Sequence, residues 1–140
     1  MKRALFAVVL GGALGTLLRV EILQWGTSYS TSWVGYASLS HSSSVSWTVL
    51  IPWRLIGINS VGVALATWLL RDRLHDRAPN DPWRLLLITG LLGGLTSYST
   101  LISDVILIHQ ISNFYAAVVL LGSVAVGLIA AWFGSKVARS

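Results

Sequence analysis

Cysteine is absent from the 140-residue chain, which excludes a disulfide framework, thiolate metal sites and a thiol nucleophile. Charge is scarce too: Asp, Glu, Lys and Arg make up 11% of the residues, against roughly 25% in an ordinary soluble domain. Proline is confined to Pro52, Pro79 and Pro82, so none interrupts the long apolar runs. What fills the chain is apolar, at 54%. A soluble enzyme of this length needs polar residues to cover its surface, and they are missing. Lipid must solvate most of the chain.

The gaps between charges carry the main signal. Residues 4–18, 55–70, 85–103 and 105–135 hold no charged side chain, and the polar run His109-Gln110-Ile111-Ser112-Asn113 breaks the last gap. Crossing about 30 Å of hydrocarbon takes about 20 helical residues. The chain is therefore expected to be an all-α integral membrane domain over 1–140, with helices at approximately 4–23, 50–70, 85–108 and 114–133. Met1-Lys2-Arg3 before an apolar run resembles the opening of a signal peptide. However, Gly11-Gly12 and Gly15 interrupt the run, and Arg19 and Glu21 stand where a small-residue cleavage site belongs. The segment is read as a retained helix.

With four spans, both termini and the loop between helices 2 and 3 share one side. That side holds Lys2, Arg3, Arg71, Arg73, Arg77, Arg84, Lys136 and Arg139, against Arg19 and Arg54 on the other. A Lys/Arg excess marks the cytoplasmic side, so both termini are expected inside. The net charge of +5 thus reflects topology, and no basic face free of lipid exists to bind nucleic acid. Residues 24–48 form a Ser/Thr-rich outer connection whose Trp25, Trp33, Trp47, Tyr29 and Tyr36 suit the headgroup layer; a disordered loop fits equally well.

Small residues recur at four-residue spacing: Gly11 and Gly15, Ser60 and Ala64, then Ser123, Gly127 and Ala131. Such faces allow helices to pack closely in lipid. The third apolar run is different. Gly93-Gly94 precedes Thr96, Ser97, Ser99 and Thr100, a combination that weakens a helix near the membrane midplane. Non-helical backbone is tolerated there only where protein or a polar cavity covers it, and broken helices expose carbonyls to cations and N–H groups to anions. A kinked packing helix is the plainer alternative. Asn59 adds a carboxamide within the second run, where it needs hydrogen-bond partners.

These residues together resemble the CrcB/Fluc family of small fluoride channels. The matching pieces are Gly11-Gly12-Ala13-Leu14-Gly15 running on to Arg19, Asn59 with Gly62, the run from Gly90 to Thr100, and Ser123 with Gly127 and Gly134. The resemblance implies a dimer of antiparallel four-helix subunits in the bacterial cell membrane. Fluoride would pass passively along the shared interface and its cytoplasmic concentration would fall. It also implies a structural sodium ion at the dimer centre, held by the backbone carbonyls of Gly93 and Thr96. The fluoride pathway expected from it comprises Asn59, Ser97, Tyr98, Ser99, Thr100, Ser123, Arg19 and Asp104.

The residue types suit that chemistry. Fluoride is small and tightly hydrated, so a selective path must replace water with donors without trapping the ion in a full charge. The Asn59 amide, the hydroxyls of Thr96, Ser97, Ser99, Thr100 and Ser123, and positive ring edges are neutral donors of this kind. Arg19 could draw anions into a vestibule or simply snorkel to headgroups. Several positions depart from the family pattern. Its two pore phenylalanines align with Tyr98 and Leu101, its glutamate with Asp104, its fourth-helix tyrosine with Val119, and its Gly-Thr opening helix 2 with Arg54-Leu55. A chain inserted both ways would also have balanced Lys/Arg. The bias here points to one half of an antiparallel heterodimer whose oppositely oriented partner supplies the intact rings; a homodimer is disfavoured.

Two other functions compete. A proton-coupled antiporter of the small multidrug-resistance type needs a titrating carboxylate deep in the membrane, whereas Glu21 sits beside Arg19 near a helix end, suited to a local ion pair, and only Asp104 remains. A non-conducting structural subunit of a heterodimer is the other, suggested by Leu101 and Val119. No enzyme is expected, because His41, His75 and His109 form no metal-ligand spacing and no nucleophile–base arrangement is visible.

Overall fold

A computed structural model describes residues 2–24 and 51–138. The described residues form four helices long and apolar enough to cross a membrane. The first is Lys2–Gln24, the second Trp53–Asp72 and the fourth Asn113–Val137; between the last two runs a third span, Pro82–His109. The outer connection expected over 24–48 lies, apart from Gln24, outside the described residues, as does Arg139.

Local chemistry sets the ends of these elements. Pro52 sits just ahead of the second helix, with φ −78° and ψ 65°, where its missing N–H costs nothing. The Asp81 carboxylate accepts the Arg84 N–H at 3.3 Å and so caps the third span, whose first residue is Pro82. Arg77 Nη1 donates to the same carboxylate at 2.9 Å, and Arg84 Nη1 donates to the Arg77 carbonyl at 3.0 Å. Those contacts tie down the loop between helices two and three.

The third span is not one regular helix. One turn at Pro82–Arg84 leads into a wide π-helical stretch at Leu85–Leu92, followed by an α-helical turn at Gly93–Leu95. The Gly93 N–H is shared between the carbonyls of Ile88, five residues back, and Gly90. Thr96 (φ −82°, ψ 141°) and Ser97 (φ −142°, ψ 108°) are then extended, and the helix resumes at Tyr98–His109. The break expected from the glycine-hydroxyl run is present.

Packing divides the bundle. Residues 82–95 lie against the first helix, Tyr98–His109 lies against the fourth, and the second helix also packs on the fourth. At the first of these contacts, glycines let backbones touch. A methyl built on Gly94 would lie 3.1 Å from Gly12 Cα and 3.1 Å from Thr16 N. Gly11 and Gly15 likewise face the backbone of Leu86, Gly90, Leu91 and Leu95. Such proximity suits helices in lipid, where dispersion and close fit replace the hydrophobic drive of water. The fourth helix corrects an expectation: Gly134, rather than Gly127, carries the close approach, meeting the Ala64 backbone, while no atom lies within 4 Å of a methyl on Gly127. A common face does not say which neighbour fills it.

The interior core is small, formed by Leu55, Leu101, Ile108, Ala116 and Val119. Elsewhere large apolar side chains such as Phe6, Leu121, Leu128 and Phe133 point outward, each at least 60% exposed. That surface requires lipid or protein, since water would not cover it favourably.

Candidate functional site

The break in the third span faces the second helix, and two residues of that helix explain why it is stable. Asn59 and Gly62 stand three positions apart, on one helical face. Asn59 Oδ1 accepts the Ser97 N–H at 2.9 Å, and Asn59 Nδ2 donates to the Ser97 carbonyl at 3.3 Å. One carboxamide therefore satisfies both backbone groups of the most irregular residue in the span. Gly62 makes room beside it, because a methyl there would collide with the Thr96 Cγ2 methyl. Buried backbone polar groups demand partners, and Asn59 supplies them across 38 residues of sequence.

Ser97 is buried and starts the second half of the span. Its Oγ accepts the Thr100 N–H at 3.2 Å, a side-chain cap on the helix that follows. The same oxygen lies 2.7 Å from Thr100 Oγ1 and 3.2 Å from Ser99 Oγ, so three hydroxyls form one cluster. Thr96 Oγ1 donates to the Leu92 carbonyl at 2.9 Å, and Ser103 Oγ to the Ser99 carbonyl at 3.0 Å.

These bonds change what the backbone offers. In an unbroken helix the Ser97 N–H would donate to the Gly93 carbonyl and the Thr100 N–H to the Thr96 carbonyl. Both donors are engaged by side chains instead.

The remaining expected residues are more dispersed. Tyr98 is 66% exposed, and Gly93, Ser99 and Ser103 are exposed on the same broken span. Asp104 is half-buried one turn further along. Ser123 sits on the fourth helix, with its hydroxyl donating to the Val119 carbonyl at 2.6 Å. Arg19 is half-buried and Glu21 exposed on the first helix. The expected Arg19–Glu21 ion pair does not form among the described residues, since positions two apart project from opposite sides of a helix. The structure thus gathers Asn59, Thr96, Ser97, Ser99 and Thr100 into one site.

A second grouping was not visible in the sequence order. Leu55, Leu101 and Val119 pack together in the interior core. Leu55 is 2% exposed, Leu101 4% and Val119 3%. Their separation along the chain hid this, although all three are apolar.

The chain matches the family described as CrcB-like protein, Camphor Resistance (CrcB), over residues 6–135. It belongs to that family. Among its relatives, the protein named Fluoride-specific ion channel FluC from Stutzerimonas stutzeri (strain A1501) is 35% identical, over 99% of this chain and 99% of the relative. A relative of the same name from Erythrobacter litoralis (strain HTCC2594) is 32% identical, over 94% of this chain and 89% of its own length. Another, from Oceanobacillus iheyensis, is 30% identical across 97% and 92% respectively. The CrcB-like match spans the break and all four helices, and these relatives are named as a channel rather than an enzyme.

Proposed function

We propose that this CrcB-like chain is a subunit of a fluoride-specific ion channel, through which fluoride leaves the cytoplasm passively. The observation that carries this reading is the extended Thr96-Ser97 step, held open by Asn59 inside a membrane-spanning segment. The names borne by its relatives give the permeant ion.

The same site argues for a second subunit. Gly93, Tyr98, Ser99 and Ser103 are exposed on a single chain, on either side of the extended Thr96-Ser97 step, and non-helical backbone at membrane depth is tolerated only where protein or a polar cavity covers it. An opposed copy of the break, from an inverted subunit, would cover them. In that arrangement the fluoride route runs past neutral donors. Asn59 Nδ2 has a second N–H beyond the one given to Ser97, and the Ser97–Ser99–Thr100 cluster can rotate its protons toward an anion. Exposed ring edges such as that of Tyr98 add positive potential without a full charge. Ser123 contributes only by releasing its proton from the Val119 carbonyl. Arg19 and Asp104 lie outside the hydroxyl cluster and act on the approach to it.

Sodium fits the break. The Gly93 and Thr96 carbonyls have lost their helical donors to Asn59 and Ser97, and hard monovalent cations favour neutral carbonyl oxygen. When bound, the ion would supply a positive charge at the break, held by these two carbonyls.

The charge distribution supports a heterodimer with both termini of this chain inside, eight cationic side chains standing on that side against two on the other. A further observation favours a divided labour between the subunits. Leu55, Leu101 and Val119 seal the interior of this chain where the family resemblance places polar or ring-bearing residues. The partner then supplies the ring-bearing residues that this chain lacks, while Asn59 and the hydroxyl cluster of this chain stay on the fluoride route.

Fluoride efflux from liposomes, followed with a fluoride electrode, tests the main reading. Assemblies containing this chain are expected to pass fluoride and retain chloride; equal permeation of both ions, or none, would overturn it. Expression in a fluoride-sensitive bacterium tests the pairing. Rescue is expected only with the second gene, and full rescue by this gene alone would remove the obligate partner.

A further inference from the structure

We infer that Asn59 and Ser97 are positioning residues for the cation seat, acting by withholding two backbone donors from the Gly93 and Thr96 carbonyls. This rests on the reading of the break as a sodium-bearing channel element and deepens it. It gives Asn59 a task distinct from contacting fluoride.

A carbonyl already paired inside a helix is a poor cation ligand, because its favoured lone-pair direction is occupied by an N–H. The donor that pairs Gly93 C=O in a continuous helix is the Ser97 N–H, and Asn59 Oδ1 accepts that proton at 2.9 Å. The corresponding donor for Thr96 C=O is the Thr100 N–H, held by Ser97 Oγ at 3.2 Å. The two locks are linked through Ser97, whose backbone is fixed by Asn59 and whose side chain fixes Thr100. Gly62 lets the second helix come close enough for the clamp, since any larger residue would strike Thr96. The same Asn59 amide retains one N–H for an anion. Cation seat and anion route are thereby joined at one side chain.

Substitutions separate the two tasks. Asn59→Asp keeps an oxygen to accept the Ser97 N–H while removing the amide donors. Asn59→Leu removes both and releases the Ser97 N–H toward Gly93. Ser97→Ala releases the Thr100 N–H toward Thr96, and Ser97→Thr retains the cap.

The test is the thermal midpoint of the intact assembly in detergent, titrated with sodium chloride against N-methylglucamine chloride at constant ionic strength. The wild-type midpoint rises with sodium. Asn59→Leu and Ser97→Ala require about tenfold more sodium for the same rise, the scale of one lost hydrogen bond. Asn59→Asp and Ser97→Thr respond at wild-type concentrations, although Asn59→Asp loses fluoride efflux. Midpoints without sodium report any general loss of stability separately. If Asn59→Leu fails to fold, the Ser97→Ala and Ser97→Thr pair decides the matter. A wild-type sodium response in Asn59→Leu, or in Ser97→Ala, overturns the positioning role and leaves the channel reading intact. A wild-type assembly indifferent to sodium, yet passing fluoride, overturns the sodium seat and this inference with it.

Discussion

Residues 82–95 meet the first helix backbone to backbone, whereas Tyr98–His109 meets its neighbours through side chains. Gly11, Gly15, Gly90 and Gly94 leave no space for a methyl at the first contact. Around the second, Leu55, Leu101, Ile108, Ala116 and Val119 form an ordinary apolar core. The extended Thr96-Ser97 step separates the two. A seam of backbone cannot relax around an added atom, but side chains can shift rotamers and repack. The first half of the span is thus fixed in place by the first helix, and the second half has room to repack.

The sharpest way to break this contrast is to enlarge a glycine in the seam. Gly94→Val would drive its side chain into the Gly12 and Thr16 backbone. No monodisperse protein is expected by size-exclusion chromatography, and normal assembly would show that the seam can yield. Truncation in the core comes next. Leu101→Ala leaves a void in a side chain's place and should cost about 2–5 kcal/mol, read as a lower thermal midpoint with the elution volume preserved. Smaller still is the comparison of two glycines on the fourth helix. Gly134→Ala meets the Ala64 backbone and should lower the midpoint, whereas Gly122→Ala meets no atom within 4 Å and should raise stability by about 0.5–1 kcal/mol through helix propensity.

The smallest effect concerns the loop before the third span. The hydrogen bond from Arg77, which outweighs desolvation, with help from the Arg84 N–H, holds Asp81 below the ordinary aspartate pKa of 3.8. A lowered folded-state value means the contact stabilises fully above 3.8 and is lost as pH falls through the folded value. Amide protection at the end of the loop, taken relative to the intrinsic exchange rate at each pH, should fall under those acid conditions. Asp81→Asn should abolish that pH-dependent loss of protection, and an unchanged loss in that variant would remove Asp81 as the cause.

Much of the architecture was legible because lipid imposes a simple rule. Charges cannot stay in the hydrocarbon, so the gaps between Arg3 and Arg19, Arg54 and Arg71, and Arg84 and Asp104 outline the spans. Gly93-Gly94 with its hydroxyls announced the break for a comparable reason, since few sequences put that combination in a membrane helix. The partners were less legible. Asn59 declared its need for hydrogen bonds, but nothing in the order of residues says that Ser97, 38 positions away, receives both. The π-helical stretch at Leu85–Leu92 has no compositional mark, and its close seat against Gly11 and Gly15 appears only once the helices are packed. Likewise Gly127 and Gly134 look alike until the second helix is placed beside them. Spacing defines a face, and only tertiary packing assigns its neighbour.

The chain crosses the bilayer with its third span opened at Thr96 and Ser97. Solid-state NMR of the isotope-labelled assembly in lipid bilayers reads this directly, through the Cα and Cβ shifts of Leu95, Thr96, Ser97 and Tyr98. Extended-backbone shifts are expected at Thr96 and Ser97 between helical flanks, collapsing toward helical values in Asn59→Leu. Helical shifts through all four residues of the wild type would contradict it.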